Sequence, residues 1–248
     1  MENVIPGIKM NSVCIATYNG ERYIEQQLRS ILEQIKPDDE VIVSDDGSTD
    51  NTLKIVESIG DQRIRVRHST AHYFKQNFIE AMREAKGEII FLADQDDVWL
   101  PGKYDRCVAE LKDVDLVCTN SRMTDEDLQV VEPNFFSLYH SGPGVFKNAM
   151  NNTYYGSCMA FRRSLLDVAL PMPPTREIGH DIWLGLVAEM TGKVRFIETP
   201  YLLYRRHGMT KTSTNGLLHR SQRPLWLKVW SRFVVLYYVC KFKLRHGK

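Results

Sequence analysis

The chain has no acidic residue after Glu198. Residues 199–248 hold 11 Lys and Arg and no Asp or Glu, while residues 1–198 hold 21 against 31, so a net charge of +1 conceals a body of −10 joined to a tail of +11. A tail of one sign points to an anionic target, either nucleic acid or a membrane face. Cysteine is sparse and unpaired. Cys14, Cys107, Cys118, Cys158 and Cys240 are odd in number and form no C-x-x-C pair, which excludes a disulfide framework and a zinc or redox motif. Four of them lie in apolar segments and are read as small core residues. No apolar run approaches the ~20 residues that span a bilayer, and the first ten residues lack the basic-then-apolar pattern of a secretory signal. The expected location is therefore cytoplasmic, and the single sequon at Asn151 is not expected to be glycosylated. Internal repeats and low-complexity tracts are also missing.

What is present is enough for one large α/β domain: 248 residues, 43% hydrophobic and 25% charged. Hydrophobic spacing predicts a strand over 11–17, a helix over 21–35, a strand over 41–44, a helix over 50–59 and a strand over 63–67. A helix over 74–86 and a strand over 88–93 complete a βαβαβαβ order, which implies a parallel sheet. Residues 103–112 read as a helix and 116–119 as a strand. Residues 120–152 show no period and read as a long loop of the substrate-binding or lid type. A helix over 180–190, strands over 194–198 and 201–205, and a basic aromatic tail from 217 follow. The expected division is a domain over 8–212, with halves 8–119 and 120–212, and a helical tail over 213–248.

Three strands end in polar or acidic residues: Val13-Cys-Ile-Ala-Thr-Tyr-Asn-Gly20, Val41-Ile-Val-Ser-Asp-Asp-Gly-Ser-Thr-Asp50 and Ile89-Ile-Phe-Leu-Ala-Asp-Gln-Asp-Asp-Val-Trp99. The carboxyl ends of buried parallel strands deliver side chains into one crevice, where open α/β sheets bind ligands. Asp94, Asp96 and Asp97 repel one another when ionised, so a cation is expected among them. A hard divalent ion, Mg²⁺ or Mn²⁺, takes one or two carboxylates plus phosphate oxygens, which makes a phosphate-bearing ligand the second partner. Asp45 and Asp46 exceed what a turn and a helix cap require; a carboxylate there suits the imide N–H of a uracil or thymine ring. Tyr18, beside Thr17 and Asn19, offers a flat face and a hydroxyl to a base.

Later positions add chemistry. Asp181 opens a predicted helix, either as a first-turn acid favoured by the helix dipole or as a general base. Arg205, Arg206 and His207 follow an apolar strand; they are a solvated turn, or else Arg donates to a diphosphate while neutral His ligates a metal. In the tail, Trp226, Trp230, Phe233, Tyr237 and Tyr238 are interspersed with Lys and Arg, which suits a helix lying in a membrane interface or one packed on the domain. Single-stranded nucleic acid uses the same ingredients but nothing in the crevice calls for it, so no nucleic-acid partner is expected.

As a set and in this order, the three strand-end motifs resemble those of the family 2 glycosyltransferases of bacterial polysaccharide assembly, over roughly residues 10–210. The Asp-Gln-Asp-Asp-Val-Trp form is similar to that of the rhamnosyltransferase-like branch. The resemblance implies the A-type glycosyltransferase fold, a Rossmann-like, mostly parallel sheet flanked by helices, and an inverting enzyme that uses a nucleotide-diphospho-sugar donor and Mn²⁺ or Mg²⁺. It implies that Thr17, Tyr18, Asn19, Asp45 and Asp46 serve the nucleotide, with Asp94 by the ribose, and that Asp96 and His207 hold the metal. Arg205, Arg206, Gly156, Ser157, Asp97 and Trp99 would lie by the diphosphate, donor sugar or acceptor. Asp181 would be the catalytic base, although His180 stands where the family commonly has Glu. The implied acceptor is a saccharide or lipid-linked saccharide at the inner face of a membrane, whose anionic surface the tail would meet.

Two other enzyme classes fit less well. A haloacid-dehalogenase-type phosphatase needs its Asp-x-Asp after the first strand, which here ends in Thr-Tyr-Asn, and a sugar-nucleotide pyrophosphorylase needs a Gly-rich basic loop that is absent. A non-catalytic scaffold would have no need of Asp46, Asp94, Asp96 and Asp181 together.

Overall fold

The computed structural model describes residues 10–206 and 224–246. Its first half alternates β1 (Ser12–Thr17), α1 (Ile24–Leu32), β2 (Glu40–Asp45), α2 (Thr52–Ser58), β3 (Ile64–His68), α3 (Phe74–Glu84) and β4 (Ile89–Asp94). The second half comprises β5 (Val98–Trp99), α4 (Lys103–Glu110), β6 (Leu116–Thr124), β7 (Val130–Glu132), α5 (Phe135–Tyr139), α6 (Val145–Met150), a 3₁₀ turn (Gly156–Cys158), β8 (Met159–Arg162), α7 (Arg163–Ala169), α8 (His180–Thr191), β9 (Val194–Arg205) and α9 (Leu225–His246).

One sheet runs in the order β3-β2-β1-β4-β8-β6-β9-β5, with β7 hydrogen-bonded to β6 off that path. The strands β3, β2, β1 and β4 are parallel, as the alternating pattern implies. Strands β1 and β2 are buried throughout their length, so apolar residues occupy both faces under helices rather than alternating with polar ones. Helix α1 buries Ile24, Leu28 and Ile31 at helical spacing. The core is continuous from Val13 and Ile15 through Phe91 and Leu92 to Phe161 and Leu184. Cys14, Cys107, Cys118 and Cys158 are buried in it, and Cys240 is exposed.

Two expectations need correction. Residues 120–152 are not a loop: β6 continues to Thr124, β7 pairs with it, and α5 and α6 follow. These short elements are held by remote partners, such as Asn120 Nδ2 donating to the Asn134 side chain and to the Glu198 carbonyl. The strands expected over 194–198 and 201–205 are one strand, β9, which carries Pro200. Proline has no N–H for the ladder, and β6 shifts register on both sides of Asn120, the residue paired with Pro200. Of the expected tail, α9 covers Leu225–His246; residues 207–223, including His207, lie outside the described residues.

Candidate active site

The order 3-2-1-4 puts a switch point between β1 and β4, because the chain runs outward from β1 to β2 and β3 and then crosses back to β4 on the other side of β1. Register places Thr17 beside Asp45 on one flank and Ala16 beside Asp94 on the other, so the three strand-end motifs meet at one edge of the sheet.

Gln95 joins these ends. Its Oε1 accepts from Thr17 Oγ1 at 2.6 Å and from the Tyr18 N–H at 2.9 Å, and its Nε2 donates to the Tyr18 carbonyl at 3.2 Å. A Cβ on Gly20 would stand 2.5 Å from Gln95 Oε1, so that close approach suits glycine. The opposite flank is tied by Asn19, whose Oδ1 accepts from the Thr49 N–H at 2.8 Å, and by Ser48 Oγ, which accepts from the Asn19 N–H at 2.9 Å. Tyr18, 51% exposed, is left facing solvent at the rim.

The two adjacent acids of β2 divide their tasks. Asp45 accepts from the N–H groups of Gly47 and Ser48 and from Ser48 Oγ, which uses both oxygens in the turn at Gly47, where φ is +85°. Asp46 accepts at Oδ1 from the His72 N–H at 2.8 Å. The turn reading thus accounts for Asp45, and Asp46 is the one of the pair whose known bonds leave an oxygen for a ligand.

Electrostatic stress is concentrated at the third motif. Burial, then the charges of Asp96 and Asp181, push the Asp94 carboxyl up to about 7. Asp97, also buried, is raised well above the usual range by burial and then by Asp96 and Asp94. Its Oδ1 accepts from the Arg205 N–H at 2.9 Å, while its Oδ2 is buried without a partner. A cation is the remedy this donor set asks for, and its hard oxygens fit Mg²⁺ or Mn²⁺. Among the described residues no three His, Cys, Asp or Glu converge on one point, so such an ion would need ligand oxygens from a bound molecule.

Asp181 lies in the first turn of α8, with Oδ1 accepting from the Ile182 N–H at 2.8 Å. Burial raises its carboxyl to about 6, and its charge reaches Asp94, so acid and strand end share one crevice. Lys75, pushed down to about 8 by burial, is the nearby cation; its Nζ donates to the carbonyls of Pro173 and Thr175. His180 faces inward instead. It stacks on Phe78 at 4.3 Å, both ring nitrogens are buried without partners, and burial pushes it down to about 3, so it is neutral. Its Nε2 would be 3.1 Å from a Cβ on Gly156.

Other expected site residues serve the frame. Arg205 donates from Nε to the Asp96 carbonyl, from one terminal nitrogen to the Glu126 carbonyl and from the other to Gln26 Oε1, with its guanidinium 4.7 Å from the centre of the Tyr23 ring. That is a brace rather than an arm held out to phosphate. Arg206 is buried, and its N–H donates to the Thr124 carbonyl. Trp99 packs inside against Phe91 and lies 4.7 Å from buried Lys103 Nζ, which donates to the Ser157 carbonyl. Gln95, Lys75 and Lys103 went unassigned in the sequence; only Gln95, set among the acids of its motif, gave any signal.

Comparison with known proteins agrees with this geometry. The dTDP-rhamnosyl transferase RfbG of Shigella flexneri is 37% identical over 224 residues, which cover 81% of this chain and 74% of that protein. The crystal structure of residues 1–349 of S. aureus TarS with UDP-GlcNAc superposes with a TM-score of 0.70 at 20% identity, covering 96% of this chain and 68% of that one. The mannosyltransferase PcManGT of Pyrobaculum calidifontis, in complex with GDP-Man and Mn²⁺, gives 0.60 at 23%, covering 96% and 65%. The sheet is therefore that of the A-type glycosyltransferases. The chain spans 65% of another curated relative's length, a glycosyltransferase of Nostoc. The model of glycosyl transferase family 2 matches residues 12–169, across all three strand-end motifs, and the chain belongs to that family.

Proposed function

We propose that this chain moves a sugar, with inversion, from a UDP- or dTDP-linked donor, dTDP-rhamnose among them, to a hydroxyl of a glycan or lipid-linked saccharide of a bacterial surface polysaccharide. The observation that carries the reading is the convergence of the three strand-end motifs at one edge of the sheet, where register sets Thr17 beside Asp45 and Ala16 beside Asp94. Family membership and the likeness to RfbG support it.

In this reading Tyr18 stacks on the base and Asp46 accepts its imide N–H. Asp94 lies by the ribose. Asp96, together with phosphate oxygens of the donor and, in the wider chain, His207, would hold a Mn²⁺ or Mg²⁺ ion, which when bound neutralises charge on the diphosphate. Asp181 takes the proton of the acceptor hydroxyl as its oxygen bonds to the anomeric carbon. The bond from that carbon to the phosphate oxygen breaks on the opposite face, and the nucleoside diphosphate leaves with the electron pair. Gln95 and Asn19 hold the base pocket in register and do no chemistry.

Calorimetric titration of UDP, dTDP and GDP with and without Mn²⁺ tests the donor site. Binding of one diphosphate that needs Mn²⁺ and is lost in Asp96→Ala is the expected result. A folded protein that binds none of the three would overturn the reading and return the non-catalytic scaffold.

A further inference from the structure

Helix α9 docks by one face and presents a second apolar face on the opposite side. Its buried residues are Ser231, Val235, Val239 and Phe242. Trp226, Trp230, Phe233, Tyr237 and Leu244 are all exposed. At about 100° per residue these five fall within about 40° of one line, diametrically opposite the buried four. A helix held by one face needs only one apolar face to fold, so the outer stripe is unexplained by packing. Trp226 and Trp230 are 69% and 58% exposed, whereas Trp99 and Trp183 are 2% and 4%. Lys241, Lys243 and Arg245 lie on the flanks of the stripe, at about 60–100° from its centre line. Helix α6 packs beside α9 and adds the exposed Phe146.

We propose that this stripe is the docking surface of the protein for an anionic phospholipid bilayer. Charge complementarity selects that occupant: α9 has no acid, nor does any position after Glu198, while the rest of the chain carries −10 and is repelled from the same surface. The aromatics agree, because Trp and Tyr place an apolar body in the acyl boundary and a polar edge among headgroups. Length agrees as well. At about 1.5 Å per residue the 22-residue helix is about 33 Å long, yet no described helix is long and apolar enough to cross a membrane, so α9 lies along the surface.

The inner face of α9 gives this docking a direction. Ser231 Oγ donates to Glu177 Oε2 at 2.8 Å, and Phe242 meets Trp183 edge to face at 5.7 Å. These two fastenings bracket Asp181 in the sequence. A bilayer-seated α9 therefore fixes the start of α8 at a set distance from the lipid, where a lipid-linked acceptor would present its hydroxyl; this consequence, unlike the docking, rests on the transferase reading.

Flotation of the full chain with phosphatidylcholine vesicles, with and without phosphatidylglycerol, tests the docking. The chain should float with anionic vesicles at least about tenfold better than with neutral ones, lose that advantage at high salt, and show blue-shifted tryptophan emission. Replacing Trp226, Trp230 and Phe233 together by Gln should cost about tenfold or more in binding with the helical circular dichroism unchanged. The charge variant Lys241→Glu with Lys243→Glu and Arg245→Glu should do likewise. Asp181→Asn should float as well as wild type, which keeps docking separate from chemistry. A wild-type chain that stays in the dense fraction, or stripe and charge variants that float undiminished, would overturn the proposal. A wild-type dimer that the stripe variant abolishes, without flotation, would assign the face to a second copy instead.

Discussion

In the proposed transfer Asp181 can serve as the base only when ionised, and its environment decides when that is. Burial lifts its carboxyl to about 6, partly offset by the N–H of Ile182 and by Lys75. Transfer should therefore rise through pH 6 and level off above pH 7, since the deprotonated fraction limits the rate below that point. Asp181→Asn keeps the shape and loses the proton acceptor, so kcat should fall by about a thousandfold or more while donor binding is unchanged. A pH profile of kcat for wild type, paired with nucleotide titration of the variant, checks both. A flat profile between pH 5 and 8, or a variant with near-normal kcat, would move the base elsewhere.

At the scale of elements, what holds the crevice open is a set of side chains that bridge strand ends and loops. Arg205 ends β9 and ties the carbonyls of Asp96 and Glu126 to Gln26 of α1. Arg205→Met would leave two half-buried carbonyls without their donor, and unfolding in urea should show a loss of about 1–3 kcal/mol. Nucleotide affinity of the remaining folded protein should stay within about threefold, because the guanidinium is spent on the frame. Unchanged stability with lost affinity would make it a phosphate ligand after all. The same elements show what was legible in the chain. The parallel half could be read because β1, β2 and β4 are continuous apolar runs ending in polar residues, and α1 and α3 keep helical spacing. The region 120–152 could not, because its short elements depend on partners such as Glu198, far away in sequence, and Pro200 hid a continuous strand whose irregularity is absorbed by β6. Of the site, Asp46, Asp94 and Asp181 were legible as acids at strand and helix ends. That Asp45 closes a turn, Trp99 packs inside and Gln95 does the stitching depends on side-chain direction, which no motif encodes.

Across the whole molecule, an acidic body gathers like charges at one strand end, where the proposed reading places a cation with its ligand. The folded pKa of Asp94, about 7, lies above its ordinary value of 3.8. Its contribution to stability is thus full below pH 3.8 and is lost as pH rises through about 7, where the fold must hold a crowded negative charge. Cation binding reverses this by favouring the ionised form. At pH 6.5 Asp94 is largely protonated in the free protein, so uptake of Mn²⁺ with a nucleoside diphosphate should expel up to about one proton from it, and at pH 8.5 essentially none. Calorimetry in two buffers of different ionisation enthalpy reads that proton. The diphosphate releases protons of its own near pH 6.5, so the carboxyl's share is the difference between wild type and Asp94→Asn, which should vanish at pH 8.5. Chelation with EDTA should abolish it at pH 6.5. Equal proton release from the two proteins at pH 6.5 would mean that the cation does not relieve the acids of the third motif, and the charge crowding there would need another partner.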